Sequence, residues 1–256
     1  MAKREINFID LGLTEYKEAW DLQENLLQKN LKAKSAKATV VIDNTTTSTS
    51  IDDELETKNY LLFVEHPLVY TLGKSGHEEN VLISEEEMIQ KQIQFYKTNR
   101  GGDITFHGPE QIVGYPILDL EKFYTDIGKY MRNLEEVIIR TLAEYEIKSG
   151  RSVGETGVWI DAGIPGKERK ICAMGVRCSR WVTMHGFALN VNTDLSYFDF
   201  IIPCGIQNKK VTSIKNELGR DIDIEEAKQK IRNHFKDVFE CEIIENAVEK
   251  ISNLNY

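Results

Sequence analysis

The stretch that organises the chain reads Arg100-Gly101-Gly102-Asp103-Ile104-Thr105-Phe106-His107-Gly108-Pro109-Glu110-Gln111 and runs on into Ile112-Val113-Gly114-Tyr115-Pro116-Ile117-Leu118. Two adjacent glycines let the backbone approach a ligand where no side chain would fit. The apolar run that follows has the character of a buried strand. An arginine and a histidine beside such a strand indicate a binding site. The alternative is a tight turn between two strands.

The chain has 256 residues, of which 41% are hydrophobic, enough for one large domain or for one domain with an appendage. Its formal net charge of −9 disfavours a general nucleic-acid-binding protein. The N-terminal residues lack an apolar signal core, and no apolar run reaches the length of a membrane span. We therefore expect a cytoplasmic protein.

The four cysteines, Cys172, Cys178, Cys204 and Cys241, show no close paired spacing. In a cytoplasmic chain such residues are predicted to be free thiols. A Cys/His zinc site has only weak support, because the chain contains no CxxC pair. We expect neither a metal nor a cofactor. Cys172 and Cys178 lie in strand-like sequence, which predicts core positions for both.

Hydrophobic periodicity predicts a strand at residues 6–11 and then a helix from about residue 15 to residue 31, capped by Thr14. One face of that helix carries a mostly apolar stripe. Its members are Tyr16, Ala19, Trp20, Gln23, Leu27 and Leu31. The composition then changes, because residues 32–58 contain a Lys/Ala stretch, a Thr/Ser-rich stretch and acids. This segment predicts an exposed low-complexity insertion with a partial strand at residues 39–42.

Further along the chain, apolar runs predict strands and amphipathic patterns predict helices. The predicted strands are residues 60–65, 93–97, 112–118, 158–160, 171–178 and 182–191, with a hairpin turn at residues 178–180. The predicted helices are a short one opened by a capping box at Ser84, a long one at residues 126–146, and a C-terminal one at about residues 223–239. This order predicts an α/β (α+β) fold with a mixed sheet rather than a doubly wound parallel sheet.

Cys204 stands in the segment Phe200-Ile201-Ile202-Pro203-Cys204-Gly205, where an apolar strand is predicted to end at the proline. Gly205 leaves space beside the sulfur, which suits a nucleophile. Taken alone, this local sequence favours the alternative of a buried and inert cysteine, the commoner fate of a free thiol.

Lys170 enters an apolar strand in the segment Lys167-Glu168-Arg169-Lys170-Ile171-Cys172-Ala173-Met174-Gly175. A cation near a thiol favours the thiolate, and a desolvated lysine can exchange protons near neutral pH. Because lysines are mostly exposed, the alternative is a solvated member of a basic loop.

His107 and His185 are each followed by glycine, so the backbone could lie close to a ligand. A satisfied structural histidine is an equally good interpretation of each. Residues 148–180 carry a local charge of +4, from seven basic and three acidic side chains. The basic residues are Lys148, Arg151, Lys167, Arg169, Lys170, Arg177 and Arg180, and the acidic ones are Glu155, Asp161 and Glu168. Such a segment fits either an acidic partner or an ordinary solvated surface.

Four motifs together closely resemble those of the octanoyltransferases, also called lipoyl(octanoyl) transferases or lipoate-protein ligase B. They are Arg100-Gly-Gly-Asp-Ile-Thr-Phe-His-Gly-Pro-Glu-Gln111, Lys170-Ile-Cys-Ala-Met-Gly-Val-Arg177, Met184-His-Gly-Phe-Ala-Leu-Asn-Val-Asn192 and Phe200-Ile-Ile-Pro-Cys-Gly205. The motifs occur in the order typical of the family, and the resemblance covers about residues 6–218. It implies that residues 1–256 form a single catalytic domain of the lipoate/biotin protein ligase type.

The resemblance implies transfer of an octanoyl group from octanoyl-acyl carrier protein to a lysine of a lipoyl domain. The acceptors it implies are the E2 subunits of 2-oxoacid dehydrogenases and the glycine cleavage H protein. In the family, the cysteine that corresponds to Cys204 takes the acyl group as a thioester. The lysine that corresponds to Lys170 lowers the pKa of that cysteine and relays protons. Glu110 and Cys172 depart from the family pattern, where glycine and a small apolar residue are usual.

The resemblance also assigns contacts with the acyl group to three segments. They comprise Arg100, Gly101, Gly102, Asp103, Ile104, Thr105, Phe106, His107, Ala173, Met174, Gly175, Gly186, Phe187 and Ala188. Two alternatives remain. One is an ATP-dependent lipoate or biotin ligase, which needs no nucleophilic thiol, so that Cys204 argues against it. The other is a non-catalytic carrier-binding protein, against which the presence of both Lys170 and Cys204 argues.

Overall fold

A mixed nine-stranded sheet forms the centre of the computed structural model, which describes residues 4–43, 56–202 and 210–245, with the side chains of residues 37–43 outside the described part. The strands are β1 (Arg4–Leu13), β2 (Tyr60–Glu65), β3 (Val69–Leu72), β4 (Gln94–Lys97), β5 (Ile104–His107), β6 (Gln111–Ile117), β7 (Ser149–Gly150), β8 (Val158–Ile160), β9 (Arg169–Ser179), β10 (Val182–Asn190), β11 (Lys210–Val211) and β12 (Cys241–Glu245).

The main sheet has the order β12-β1-β2-β6-β10-β9-β8-β7, and β11 pairs with β9. β1 runs parallel to both β12 and β2, and β11 runs parallel to β9, whereas the other pairs are antiparallel. A second sheet has the order β4-β3-β5. The prediction of a mixed sheet in an α/β fold is therefore confirmed.

Helices cover both faces of the main sheet. They are α1 (Tyr16–Asp43), α2 (Glu85–Gln90), α3 (Ile127–Ala143), α4 (Ile214–Leu218) and α5 (Ile224–Phe239). Alternate residues of β2 belong to different cores: Leu62 packs with α1, whereas Leu61 and Phe63 pack with α3 and α5. Because both faces are covered, every residue of β6 and β10 is buried.

The predicted strand at residues 39–42 is wrong, because α1 continues through this segment to Asp43. Tertiary contacts extend the helix beyond residue 31. Lys34 forms an ion pair with Asp119 at 2.6 Å, and its ammonium also donates to the backbone oxygen of Arg180. The run of β-branched residues suggested a strand, but strand propensity depends strongly on context. Residues 44–55 of the predicted insertion lie outside the described residues. Thr57, near its end, is buried rather than exposed, and its hydroxyl donates to Oδ2 of Asp119 at 2.8 Å.

Three local predictions also fail. The Thr14 hydroxyl donates to the backbone oxygen of Leu11 instead of capping α1. The segment before Pro203 is a 3₁₀ helix, Leu195–Phe200, after which Ile201 forms a single bridge with Val81. The hairpin turn lies at Arg180 and Trp181, which have φ values of 46° and 64°. A two-residue turn with two positive φ values matches the twist of the strands it joins.

Helix capping follows the sequence more closely. The Ser84 side chain accepts from the Glu87 backbone, and the Glu87 side chain reaches back to the Ser84 backbone, which completes the predicted capping box of α2. Asp223 caps α5 by accepting from the backbone N–H groups of Glu225 and Glu226. Within the described stretches, no helix combines the length and the hydropathy needed to cross a bilayer.

Candidate active site

A cavity of about 90 Å³ is lined by residues from both sheets. β5 contributes Ile104, Thr105 and His107, while β6, β9 and β10 contribute residues from the main sheet. This volume is several times the roughly 10–15 Å³ that one water molecule needs. Much of the wall is apolar. The apolar contributors are Ile104, Val113, Ala173, Met174, Phe187, Ala188, Phe198 and Val211.

Most of the residues that the sequence motifs single out meet at this cavity. Those that line it are Arg100, Gly102, Asp103, Ile104, Thr105, His107, Lys170, Ala173, Met174, Gly175, Gly186, Phe187 and Ala188. Two others do not line it. Gly101 donates its backbone N–H to Val176, and Phe106 packs its ring against Tyr197. Cys204 lies outside the described residues, which end at Ile202 and resume at Lys210.

Glycines allow the loop of residues 100–103 to lie directly on β9. A Cβ atom on Gly175 would lie 2.5 Å from the backbone oxygen of Gly101 and 3.4 Å from Nη1 of Arg100. Gly102 has a φ of 89°, in the region that favours glycine. The absence of side chains at these positions therefore fixes how closely the loop approaches the strand.

The Arg100 guanidinium is buried and donates hydrogen bonds within its own loop and to β3. Its Nη2 donates to the backbone oxygens of Thr71 at 2.5 Å and Asp103 at 2.7 Å, and Nη1 donates to Gly101. Both Nε and Nη2 also contact the Thr71 hydroxyl. These bonds hold the glycine loop to the small sheet.

Lys170 brings a cation to the cavity from β9. Its ammonium lies 4.6 Å from the centre of the Trp159 ring, a cation–π distance. The strand register pairs Lys170 with Val211 of β11, and the Thr212 backbone N–H donates to the Lys170 oxygen at 2.9 Å. The basic-loop alternative for Lys170 is therefore wrong, since the residue belongs to a strand.

Three histidines lie buried in or beside the cavity, and burial lowers the pKa of each. The pKa of His66 falls to about 4 and that of His185 to about 3, the latter helped by Arg100 and Arg177. The pKa of His107 lies well below its ordinary value, mainly through burial and through the neighbouring His66. All three imidazoles are therefore neutral at pH 7.

His66 lies outside the four motifs, and its side chain is fully buried. Its Nδ1 lies 2.7 Å from the backbone oxygen of Thr14 and its Nε2 lies 2.7 Å from the Tyr115 hydroxyl. Other lining residues that lie outside the four motifs include Tyr16, Tyr115, Thr156, Phe198 and Val211. Tyr115 lies in the apolar run directly after the first motif, whereas only the tertiary structure brings Tyr16 and Thr156 to the site.

His185 combines two unusual features. Its φ is 57°, and its buried Nδ1 has no hydrogen-bond partner among the described residues. Its Nε2 lies 2.8 Å from Oδ1 of Asn99, and its backbone N–H donates to Oε1 of Gln23. The Gln23 amide nitrogen is likewise buried without a partner in the described part of the chain.

None of the cysteines that the structure describes combines exposure with a lowered pKa. Burial raises the pKa of Cys172 and of Cys241, in the latter case to about 12. Cys178 is exposed rather than in the core, so its predicted core position is wrong. Among the residues that the structure describes, no cluster of three or more His, Cys, Asp or Glu side chains could hold a metal ion.

The positive segment at residues 148–180 is not a free basic surface. Arg151 pairs with Glu135 and Glu136 of α3. Arg169 pairs with Glu217 at 2.6 Å, and Arg177 pairs with Glu24 at 2.8 Å. These acids lie outside the segment, so that the count of +4 overstates its local field.

Comparisons with known proteins identify relatives of this chain. The family model described as the lipoyl protein ligase A/B catalytic domain matches residues 15–236. An octanoyltransferase of Christiangramia forsetii is 58% identical over 94% of this chain and 98% of its own length. An octanoyltransferase of Flavobacterium johnsoniae is 58% identical over 94% of this chain and 99% of its own length.

Solved structures share the fold at low sequence identity. A structure of lipoate-protein ligase A bound with ATP superposes with a TM-score of 0.65 at 14% identity, covering 100% of this chain and 93% of that one. A putative lipoate protein ligase from T. acidophilum gives a TM-score of 0.65 at 14% identity, covering 98% of this chain and 92% of that one.

Proposed function

Because this chain belongs to the octanoyltransferase family and is an acyltransferase, we propose that it transfers an octanoyl group through a thioester on Cys204. The proposed donor is octanoyl-acyl carrier protein. The proposed acceptor is a lysine of a lipoyl domain, in the E2 subunits of 2-oxoacid dehydrogenases or in the glycine cleavage H protein. This would be the first step of protein lipoylation from an endogenous acyl group.

One observation carries the proposal for Cys204. Phe198 and Val211, which stand on either side of residues 203–209 in the chain, both line the cavity that Lys170 lines. Val211 is moreover the strand partner of Lys170. A cysteine only seven residues before Val211 can reach that cavity, because each residue of an extended chain spans up to about 3.3–3.6 Å.

The proposed reaction has two balanced steps. Cys204 Sγ attacks the carbonyl carbon of the donor thioester, and the carrier thiol leaves with a proton. The acceptor lysine then attacks the Cys204 thioester as a neutral amine, loses a proton, and releases Cys204 as the leaving group. Two transfers remove the need to bind both carriers at once. Exchange between thioesters is nearly isoenergetic, and formation of an amide from a thioester is favourable, so that ATP is not needed.

The proposed role of Lys170 is to favour the Cys204 thiolate and to relay protons. A nearby ammonium stabilises a thiolate, which is the nucleophilic form of cysteine. The Lys170 ammonium donates the proton that leaves with the carrier thiol, and the neutral Lys170 then accepts the proton that the attacking amine loses. Backbone N–H groups near the glycine-rich segments are suitable donors for an oxyanion, since fixed donors stabilise the charge that develops in acyl transfer.

We propose that the apolar lining receives the octanoyl chain. The contact residues proposed are Arg100, Gly102, Asp103, Ile104, Thr105, His107, Ala173, Met174, Gly175, Gly186, Phe187 and Ala188. Each buried methylene contributes about 0.8 kcal/mol, so that the depth of the cavity can select the chain length. We also propose a cytoplasmic location, because a reducing compartment keeps a nucleophilic thiol free.

Intact-mass spectrometry of the protein mixed with octanoyl-acyl carrier protein tests the proposal. One octanoyl adduct should appear without ATP and should disappear when a lipoyl domain is added. Peptide mapping should place it on Cys204. Cys178→Ser is the matched control, because Cys178 is an exposed thiol in the described structure and its loss should leave the adduct in place.

Cys204→Ser should lose the thioester and nearly all transfer. Octanoyl transfer at the wild-type rate by Cys204→Ser would overturn the thioester mechanism. Transfer from free octanoate that requires ATP would instead support the ligase alternative, since a lipoate-protein ligase bound with ATP shares the fold.

A further inference from the structure

A chain of hydrogen-bonded side chains runs along the cavity wall from the glycine loop to the strand beside Lys170. Its members in order are Arg100, Thr71, His107, Gln111 and Asn190. At its far end, Asn190 Nδ2 donates at 2.9 Å to the backbone oxygen of Thr212, whose N–H donates to Lys170. Thr71, His107, Gln111 and Asn190 are all buried.

Backbone carbonyl groups determine which atom donates in each hydrogen bond of this series. Because the Thr212 oxygen can only accept, Asn190 presents Nδ2 to it and keeps Oδ1 for Gln111. Gln111 Nε2 donates both to that Oδ1 at 2.9 Å and to the backbone oxygen of Phe106 at 3.1 Å. The other amide atom of Gln111, Oε1, therefore faces His107 Nδ1 at 2.8 Å. An oxygen acceptor in that position requires a proton on Nδ1.

The hydrogen bonds at the Arg100 end of this series determine whether the other ring nitrogen of His107, Nε2, donates or accepts. Thr71 Oγ1 accepts from Arg100 Nε at 3.3 Å and from Nη2 at 3.0 Å, because a guanidinium can only donate. The single hydroxyl proton of Thr71 remains for His107 Nε2, which lies 3.5 Å away. His107 Nε2 is thus an acceptor, and the ring is neutral.

The surroundings of His107 oppose a second proton. The groups that face it are His66 at 5.7 Å between ring centroids, Tyr16 stacked at 6.0 Å, and Arg100 and His185 as positive or protonatable neighbours. A phenol, two neutral imidazoles and a guanidinium supply no negative charge to stabilise an imidazolium. Tyr16 is itself held neutral, since burial raises its pKa to about 12.

We infer that His107 is a positioning residue, held as the neutral Nδ1–H tautomer, which ties the glycine loop to the strands around Lys170 and carries no proton in the reaction. Nδ1 of the His107 ring donates to Gln111 Oε1, and Nε2 accepts from the Thr71 hydroxyl, so both ring nitrogens are hydrogen-bonded. The effect of this positioning role on catalysis rests on the acyl transfer proposed above, whereas the tautomer of His107 does not. Replacing His107 or Gln111 removes the hydrogen bond between the small sheet, to which Arg100 holds the glycine loop, and the main sheet. The acyl group should then bind less well, while the acid–base groups of the reaction stay unchanged.

Nitrogen-15 NMR of the histidine rings in the full chain tests the tautomer without any substrate. His107, assigned by its absence from a His107→Asn spectrum, should show a protonated Nδ1 and an unprotonated Nε2. Both shifts should stay constant between about pH 5 and pH 8, the range in which an ordinary histidine titrates. A proton on Nε2, or a titration within that range, would overturn the inference.

Kinetics of His107→Asn and Gln111→Leu test the positioning role. Asparagine keeps a donor toward Gln111 but loses the Nε2 acceptor, and leucine breaks the chain without changing the imidazole. Both variants should raise the KM for the octanoyl donor a few-fold to about tenfold, as loss of a buried neutral hydrogen bond predicts. The midpoints of the pH profile of kcat/KM should not move.

A pH profile of His107→Asn that loses one limb, with kcat reduced and KM unchanged, would identify His107 as a proton carrier and contradict the inference. If the variants do not fold, sequential backbone assignment of the wild-type protein identifies the His107 signals, and the NMR measurement still decides the tautomer. If the wild-type protein transfers no octanoyl group, the proposed function fails, while the NMR spectrum still shows whether His107 is held as the neutral Nδ1–H form.

Discussion

Nε2 of His66 lies 2.7 Å from the hydroxyl oxygen of Tyr115, while Nδ1 of the same ring lies 2.7 Å from the backbone oxygen of Thr14. Because the carbonyl can only accept, Nδ1 carries the proton and Nε2 accepts from the tyrosine. His66 and His107 therefore share one tautomer, and each accepts from a hydroxyl group. Two neutral imidazoles at 5.7 Å avoid the repulsion that two imidazolium ions would suffer.

The first prediction concerns stability against pH. An unfolded histidine takes up a proton near its ordinary pKa of 6.5, whereas folded His66 stays neutral down to about 4 and folded His185 down to about 3. The unfolded state therefore binds more protons below pH 6.5, and the free energy of unfolding should fall as the pH drops from 6.5 toward 4. Each histidine should cost up to roughly 3 kcal/mol by pH 4.

Urea unfolding at a series of pH values measures this slope. His66→Gln should show a shallower slope than the wild-type protein. His77→Gln, which changes an exposed histidine outside the cavity, should keep the full slope. A slope for His66→Gln equal to that of the wild-type protein would show that His66 is not held neutral.

The second prediction concerns Gly175. In Gly175→Ala the new methyl would lie 2.5 Å from the Gly101 oxygen, which is too close, so the loop of residues 100–103 must move off β9. Octanoyl transfer should fall by at least about tenfold, since small misplacements in a site are costly. Gly150→Ala is the matched control: it also lies in a strand, and its Cβ would meet nothing within 4 Å. Equal activity in the two variants would show that contact of the loop with β9 is unimportant.

The third prediction concerns Glu110, which has a φ of 60° where the family usually has glycine. Its Oε1 accepts from Nδ2 of Asn192 at 3.1 Å, which partly offsets the strain of this backbone conformation. Glu110→Ala and Glu110→Gly both lose that bond, but only alanine keeps the strain. Denaturant unfolding should therefore find the alanine variant about 1–2 kcal/mol less stable than the glycine variant. Equal stabilities would contradict a strained backbone at this position.

The fourth prediction concerns Lys170 and follows from its proposed role beside Cys204. Lys170→Met keeps much of the side-chain volume but removes the charge, so the Cys204 thiol should react with iodoacetamide only at higher pH. Lys167→Met removes an exposed charge three residues away and should leave the pH–rate profile almost unchanged. The rate should be followed on the Cys204 peptide, because exposed Cys178 also reacts. Identical profiles for Lys170→Met and the wild-type protein would show that Lys170 does not activate the Cys204 thiol.

The amino-acid sequence predicted the elements that local patterns determine. β2 at Tyr60–Glu65 has the predicted bounds, and the capping box at Ser84 forms as expected. The mixed sheet was predictable as a class from the order of elements. The extension of α1 was not, because it depends on Lys34 reaching Asp119, which is distant in sequence. β5 was not predicted either, because it has only 4 residues and depends on its pairing with β3.

The residues that line the cavity could be predicted only where a sequence motif contains them. The glycine loop, Lys170 and the segment around Gly186 line it. His66 and Tyr16 have no motif, since a buried polar network is defined by partners that the fold brings together. No local pattern distinguishes such a histidine from one in a loop. The neutral state of these rings likewise follows from burial, which a sequence does not specify.

The pairing of β1 with β12 has a consequence for synthesis of the chain. β1 is the first strand and β12 the last of the described elements, yet they are adjacent and parallel, with Arg4 opposite Cys241. While the chain is being made, one edge of β1 stays open until the residues of β12 have been synthesised. An unpaired strand edge invites association with other chains. The first described strand therefore depends on the last described strand to cover this edge, and β12 then becomes the edge of the sheet.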